Sequence, residues 1–204
     1  MKITIIDYDM GNVGSIYNML DYLGYDDIQI SSSKERILNS THVILPGVGS
    51  FDEGMNNLEN RGLDLIIKEY VNIYKKPLLG ICLGMQLLGK SSEEGIKDGL
   101  GLIEFFNIRF RLSNGLKVPH MGWNTICIKN NINPLLKGLD ENYRYYFVHS
   151  YHAICNDQNN VILTTNYGYD IAVGINFENV YGVQFHPEKS HHFGMKLLQN
   201  FLEI

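Results

Sequence analysis

Long apolar runs are missing from this sequence. No stretch approaches the roughly 18–20 uninterrupted apolar residues of a spanning helix, and the N-terminal MKITIIDYDMG reaches acidic residues before a signal-like apolar core could form. A cytoplasmic protein is expected. Cysteine is scarce: Cys82, Cys127 and Cys155 are three, an odd count with no C-x-x-C spacing. Neither a disulfide framework nor a zinc knuckle is indicated, and each thiol has to be explained singly. Charge of one sign is not in excess either. Lys and Arg number 17 against 22 Asp and Glu, a net charge of −5, which gives no reason to expect nucleic acid as a partner. Repeats, low-complexity tracts and linker-like stretches are absent. The 204 residues suffice for one well-buried core, so residues 1–204 are read as one domain.

What is present is an alternation of short β-branched runs with helical patterns. Lys2–Asp7 (KITIID) stops at a polar, glycine-containing segment, as a buried parallel strand does at its C-terminal end. Ile16, Met19, Leu20 and Leu23 then recur at helical spacing before Gly24. The rhythm returns in Asp27–Ser31, in His42–Leu45 ahead of PGVGSF, and in Pro77–Ile81 ahead of CLGMQLL. Strands alternating with helices predict an α/β fold with a mainly parallel central sheet flanked by helices. From about Phe105 the runs become closely spaced: FFNIRFRL, WNTICIK, YRYYFVHSY, NVILTTN, IAVGINF and VYGVQF. These predict an antiparallel extension in the C-terminal half. Phe193, Leu197 and Phe201, four residues apart, mark a last helix with one apolar face.

The Gly80-Ile81-Cys82-Leu83-Gly84 stretch follows an apolar run and precedes a helix-forming one. It has the form of a nucleophile elbow, in which a sharp strand-to-helix turn strains the central residue and flanking glycines remove clashing side chains. The turn sets Cys82 near a helix N-terminus, where partial positive charge favours a thiolate, and leaves the Leu83 N–H available to an oxyanion. Most free cysteines are small core residues; the two glycines set Cys82 apart, whereas Cys127 and Cys155 keep the core reading. The overlapping Gly84–Ser91 string also satisfies the P-loop pattern G-x-x-x-x-G-K-[ST]. Its inner residues are apolar helix formers and SSEEGIKDG after it has no helical period, which argues against a phosphate-binding loop.

A thiol nucleophile needs a base and a group that orients the base. Near the other end of the chain, VYGVQF runs into His186-Pro187-Glu188. Residues two apart in an extended segment project to one side, and Pro187 restricts the backbone around His186, so His186 and Glu188 are expected to act together. A metal site from His186, Glu188, His191 and His192 lacks the i, i+4 histidine pair of a helical zinc site; His191 and His192 are read as opening the last helix. No metal or cofactor is expected.

GICLGMQ around Cys82 with FHPEKS around His186 and Glu188 resembles the class I, triad-type glutamine amidotransferases, and the resemblance spans essentially the whole chain. DYDMGNVGS, PGVGSF, VPHMGWN and YYFVHSY further resemble, within them, the glutaminase-subunit family of imidazole glycerol phosphate synthases. The resemblance implies a glutaminase in which Cys82 attacks the glutamine carboxamide, His186 moves the proton and Glu188 orients the imidazole. It implies an oxyanion site from Leu83 and from Val48 or Gly49 in a loop whose peptide reorients, and glutamine binding by Gly49, Gln86, Ser150 and Tyr151. Gln86, one helical turn beyond Cys82, is placed to face the same pocket.

Ammonia released into water is mostly protonated and wasted, so a channel into a second site is expected. The resemblance implies a (β/α)8-barrel synthase subunit as heterodimer partner, making imidazole glycerol phosphate and an aminoimidazole carboxamide ribotide in histidine biosynthesis. A related glutaminase serving a surface-polysaccharide sugar amidotransferase is the alternative. Asn12, His120, Met121, Trp123, Asn124 and Lys189 are the interface candidates. Trp123, the one tryptophan, is read as an aromatic contact with the partner rather than a core anchor, and Lys189 as half of a gating ion pair.

Overall fold

The N-terminal β-branched run forms β1 (Ile3–Ile6), buried at all four positions, as a strand covered on both faces requires. The computed structural model describes residues 1–113, 115–140 and 142–204. After β1 come α1 (Val13–Tyr22), β2 (Ile28–Ser31), α2 (Lys34–Asn39), β3 (His42–Leu45), α3 (Phe51–Asn60), α4 (Leu63–Asn72), β4 (Leu78–Ile81) and α5 (Leu83–Leu87). Strand character then dominates: β5 (Ser91–Ser92), β6 (Phe105–Arg109), β7 (His120–Thr125), β8 (Cys127–Ile128), β9 (Arg144–His149), β10 (Tyr151–Cys155), β11 (Val161–Asn166), β12 (Asp170–Phe177) and β13 (Val180–Val183) lead to α6 (His191–Leu202).

The main sheet runs β2-β1-β3-β4-β13-β12-β10-β6-β5, with β11 pairing β12 and β8. From β2 to β13 every pairing is parallel. Beyond β13, the pairings among β13, β12, β10, β6, β11 and β8 are antiparallel, the extension that the close spacing of the runs predicts, and the short β5 at the edge pairs with β6 in parallel. Alternation along the parallel strands feeds two cores. Ile3, Ile5, Ile44, Leu79 and Ile81 face the side of α1 and α6 with Ile16, Leu20, Leu197 and Phe201. Ile6, Val43, Leu45 and Leu78 face the side of α2 to α5 with Ile37, Met55, Leu58, Ile67 and Leu87.

Two runs that read as single strands are broken. YRYYFVHSY splits at Ser150, so that β9 pairs with β7 in a separate two-stranded sheet while β10 joins β6 and β12. WNTICIK splits at Ile126, which turns into the core. In both, apolar alternation continues through the corner while the hydrogen-bonding partner changes. Cys127 departs from the core reading: it is exposed on β8, whereas Cys155 is buried.

Candidate active site

Neighbouring parallel strands β3, β4 and β13 end on the same edge of the sheet, and ligands of open α/β sheets bind outside such carboxyl ends. The Pro46–Ser50 loop follows β3, Cys82 follows β4, and His186 lies just past β13. The Cys82 N–H donates to the Val183 carbonyl at 2.8 Å. Strand pairing thus joins residues from distant parts of the sequence.

Cys82 has φ +54° and ψ −111°, a region that side-chain-bearing residues rarely occupy. The elbow holds because α5 lies tight against β3: a Cβ on Gly84 would sit 1.9 Å from the Leu45 carbonyl oxygen. The thiol is 6% exposed, and Gln184 Nε2 approaches its sulfur at 3.8 Å. Leu83 opens α5, and the first N–H groups of a helix have no intrahelical acceptor.

His186 Nδ1 lies 2.7 Å from Glu188 Oε1, with the two side chains 1% and 2% exposed. A carboxylate accepts, so Nδ1 carries a proton, which leaves Nε2 as the free nitrogen of the ring. That Nε2 is buried and has no hydrogen-bond partner. Burial works against charge on this imidazole, but Cys82 and Glu188 together raise its pKa well above the ordinary histidine value. The local geometry differs from the extended H-x-E that the sequence predicts. Pro187–Lys189 is a single 3-10 turn, because Ser190 Oγ donates to the His186 carbonyl at 2.6 Å and accepts from the Tyr146 N–H at 3.0 Å. The turn, rather than strand alternation, carries Glu188 back to the imidazole.

The thiol and the imidazole open on a cavity of about 210 Å³ whose walls include Val48, Gly49, Leu83, Gln86, Ser150 and Tyr151. It is smaller than the roughly 300–1,000 Å³ of drug-sized sites, a size for one small polar molecule. Gly49 has φ +130°, a conformation open in practice to glycine. Gln86 is buried, and its Nε2 donates to the Tyr151 carbonyl at 3.1 Å and to Gln184 Oε1 at 3.0 Å. The sequence did not single out four further wall residues, Glu94, Pro119, Val148 and His149, nor Gln184 between Gln86 and Cys82. Glu94 Oε2 accepts from the Phe51 N–H at 2.8 Å, which fixes a carboxylate at the cavity. Gln184 sits two residues before His186 and His149 lies within YYFVHSY, usable signals both; Glu94 has none short of the fold.

The other candidates sort by strand alternation. On β7, Met121 and Trp123 point outward, Trp123 at 46% exposure and stacked on His191 with centroids 5.6 Å apart. Asn12 and Lys189 are exposed and Asn124 is half-buried, and Lys189 Nζ lies over the Tyr146 ring. His120 does not belong with them: it is 3% exposed, between the rings of Phe147 and Tyr167, because its position in β7 faces inward. The Gly84–Ser91 string is no phosphate cradle, since Leu87 and Leu88 are fully buried and Lys90 pairs with Glu104 at 2.7 Å. His191 opens α6. Among the described residues no group of three or more His, Cys, Asp or Glu side chains is placed to hold a metal ion, and no helix is long and apolar enough to cross a membrane.

The glutamine amidotransferase class-I family profile matches residues 4–204. The chain is 54% identical over 203 residues to imidazole glycerol phosphate synthase subunit HisH 2 of Methanococcus maripaludis, covering 98% of each chain. It is 46% identical over 202 residues to subunit HisH 2 of Pseudomonas aeruginosa, covering 99% of each. The PurLQS structure from Thermotoga maritima has the same fold, with a TM-score of 0.75 at 21% identity over 99% of this chain and 97% of that one. The chain therefore belongs to the class-I glutamine amidotransferases and, within them, to the glutaminase subunits of imidazole glycerol phosphate synthase in histidine biosynthesis.

Proposed function

We propose that Cys82, His186 and Glu188 form the triad that hydrolyses glutamine to glutamate and ammonia. The arrangement carrying this reading is a strained thiol and an unpartnered imidazole nitrogen on one cavity, with a buried carboxylate behind the imidazole. The Cys82 sulfur, its proton passed to His186 Nε2, attacks the carboxamide carbon of glutamine. The Leu83 N–H and an N–H at Val48 or Gly49 hold the oxyanion. The imidazolium returns the proton to the departing nitrogen, the C–N bond breaks, and ammonia leaves a γ-glutamyl thioester. Water, deprotonated by the same imidazole, attacks the thioester; glutamate leaves and the thiol is restored. Gly49, Gln86, Ser150 and Tyr151 line the amino-acid end of the substrate, and the Glu94 carboxylate suits its ammonium group.

The ammonia passes to a (β/α)8-barrel synthase subunit, in a cytoplasmic heterodimer with a single amidotransferase domain on this side. Met121, Trp123, Asn12 and Lys189 supply exposed contacts for that partner, and the relatives' names favour the histidine-pathway acceptor over a polysaccharide sugar. Replacing the nucleophile tests the reading. In complex with the barrel subunit, Cys82→Ser is expected to lower the rate of glutamate production by roughly 10³-fold or more. Undiminished glutamate production by Cys82→Ser would refute it.

A further inference from the structure

His149 lies on the cavity wall, yet it has no free lone pair to offer a substrate. Its Nδ1 is 2.8 Å from the Tyr151 carbonyl oxygen. A carbonyl only accepts, so Nδ1 carries the proton and Nε2 is an acceptor. That Nε2 is 3.0 Å from His120 Nδ1, which must then be the donor and leaves His120 Nε2 as an acceptor. The partner of His120 Nε2 is Asn124 Nδ2, at 3.3 Å. The orientation of that amide is fixed independently: Asn124 Oδ1 accepts from the Thr125 N–H at 2.9 Å, and Nδ2 donates to the Asn166 carbonyl at 3.0 Å. The two ends of the chain of bonds therefore impose the same direction, and both histidine tautomers are determined.

The surroundings keep this direction. His120 is sandwiched between Phe147 and Tyr167 with centroids 4.6 and 4.0 Å away, and Phe110 packs on both imidazoles. Buried imidazoles walled by aromatic rings have little water to satisfy a misplaced proton, so a wrong tautomer leaves an unpaired group at full desolvation cost. The receiving end is part of the glutamine cavity, because the Tyr151 carbonyl that takes the His149 proton also takes the Gln86 Nε2–H.

We propose that Asn124, His120 and His149 form a one-way hydrogen-bond relay that positions the Tyr151 carbonyl, and through it the Gln86 carboxamide, on the wall of the glutamine site. The relay starts on the small β7–β9 sheet whose outer face bears Met121 and Trp123, and it ends at the substrate. His120 and His149 are positioning residues, and His149 is no alternative base, since its one lone pair is engaged by His120. The inference rests on the glutaminase reading.

Its test has two parts. Long-range ¹H–¹⁵N spectra of the wild-type protein labelled at histidine read the tautomers directly, with the chain alone and in complex with the barrel subunit. Both His120 and His149 are expected as the neutral Nδ1–H form; an Nε2–H form at either overturns the relay. Steady-state glutaminase kinetics of the complex supply the second part. An asparagine side chain can present its amide N–H where Nδ1 stood, so His149→Asn is expected to keep the glutamine KM within about threefold. His149→Leu, which loses the donor, is expected to raise KM about tenfold with kcat within about threefold. Equal KM values for the two variants, or a loss confined to kcat, overturn the positioning role. If His149→Leu does not fold, the tautomers decide. Cys82→Ser separates the two ideas: full activity without the thiol defeats the glutaminase reading, whereas a dead Cys82→Ser with a normal KM for His149→Leu defeats the relay alone.

Discussion

Glu188 never reaches the cavity, yet its carboxylate sets which nitrogen of His186 carries the proton. Substituting glutamine keeps an acceptor for the Nδ1–H but removes the charge that stabilises the imidazolium. Glu188→Gln is expected to lower kcat by roughly 10²–10⁴-fold. KM for glutamine should stay within about threefold, because no substrate contact is lost. Steady-state glutamate production by the complex checks this, and a variant impaired only in KM would put Glu188 in the binding site instead. The two other thiols divide by burial: the Cys155 pKa is pushed up to about 11, first by burial and then by Asp157, which leaves it inert, whereas Cys127 stands in solvent.

At the level of elements, the site depends on how closely α5 lies on β3. That approach places Cys82 in its strained conformation and sets the first turn of α5 beside the Pro46–Ser50 loop. Gly84→Ala would drive a methyl group into the Leu45 carbonyl, and a backbone atom cannot step aside as a flexible side chain can. The substitution is expected to destabilise the fold by about 3 kcal/mol or more, read as a lower urea midpoint with an unchanged slope. An unchanged midpoint would mean that α5 can lift away from β3. The 3-10 turn at Pro187–Lys189 is the second decisive element. H-x-E spacing reads equally well as an extended pair, and the turn was hidden because its cause, Ser190 bonding Tyr146, lies across a strand pairing.

Over the whole molecule, four imidazoles are held neutral in the interior, those of His42, His120, His149 and His152, the last with its pKa lowered chiefly by burial. The pKa of His42 is lowered to about 4 by burial and then by the N-terminal charge, that of His120 to about 4 by burial, and that of His149 to about 3, chiefly by burial. A base whose folded pKa lies below its unfolded value of about 6.5 takes up a proton more readily when unfolded. The stability these groups confer is complete above that value and is lost as pH falls toward 4. His186 runs the other way: its raised pKa gives stability below about 6.5 that fades only as pH rises through the folded value. The four neutral histidines outnumber it by three on the acid side. Between about pH 7.5 and pH 5.5 the unfolding free energy is expected to fall by up to about 4 kcal/mol, measured from urea midpoints. Equal stability at the two pH values would show that these imidazoles are solvated.

The sequence by itself determined the strand and helix rhythm, the elbow at Cys82, and the pairing of a thiol with an H-P-E tripeptide. All of these follow from local periodicity, backbone preference and the chemistry that a nucleophile needs. Only the tertiary structure decided which strands are neighbours, and hence that the ends of β3, β4 and β13 converge on one cavity. It also broke the YRYYFVHSY run across two sheets, turned His120 inward beside His149, and brought Glu94 and Gln184 to the site. Such placements arise from contacts between segments far apart in the chain, where a side chain's own neighbours in sequence say nothing about which groups will face it.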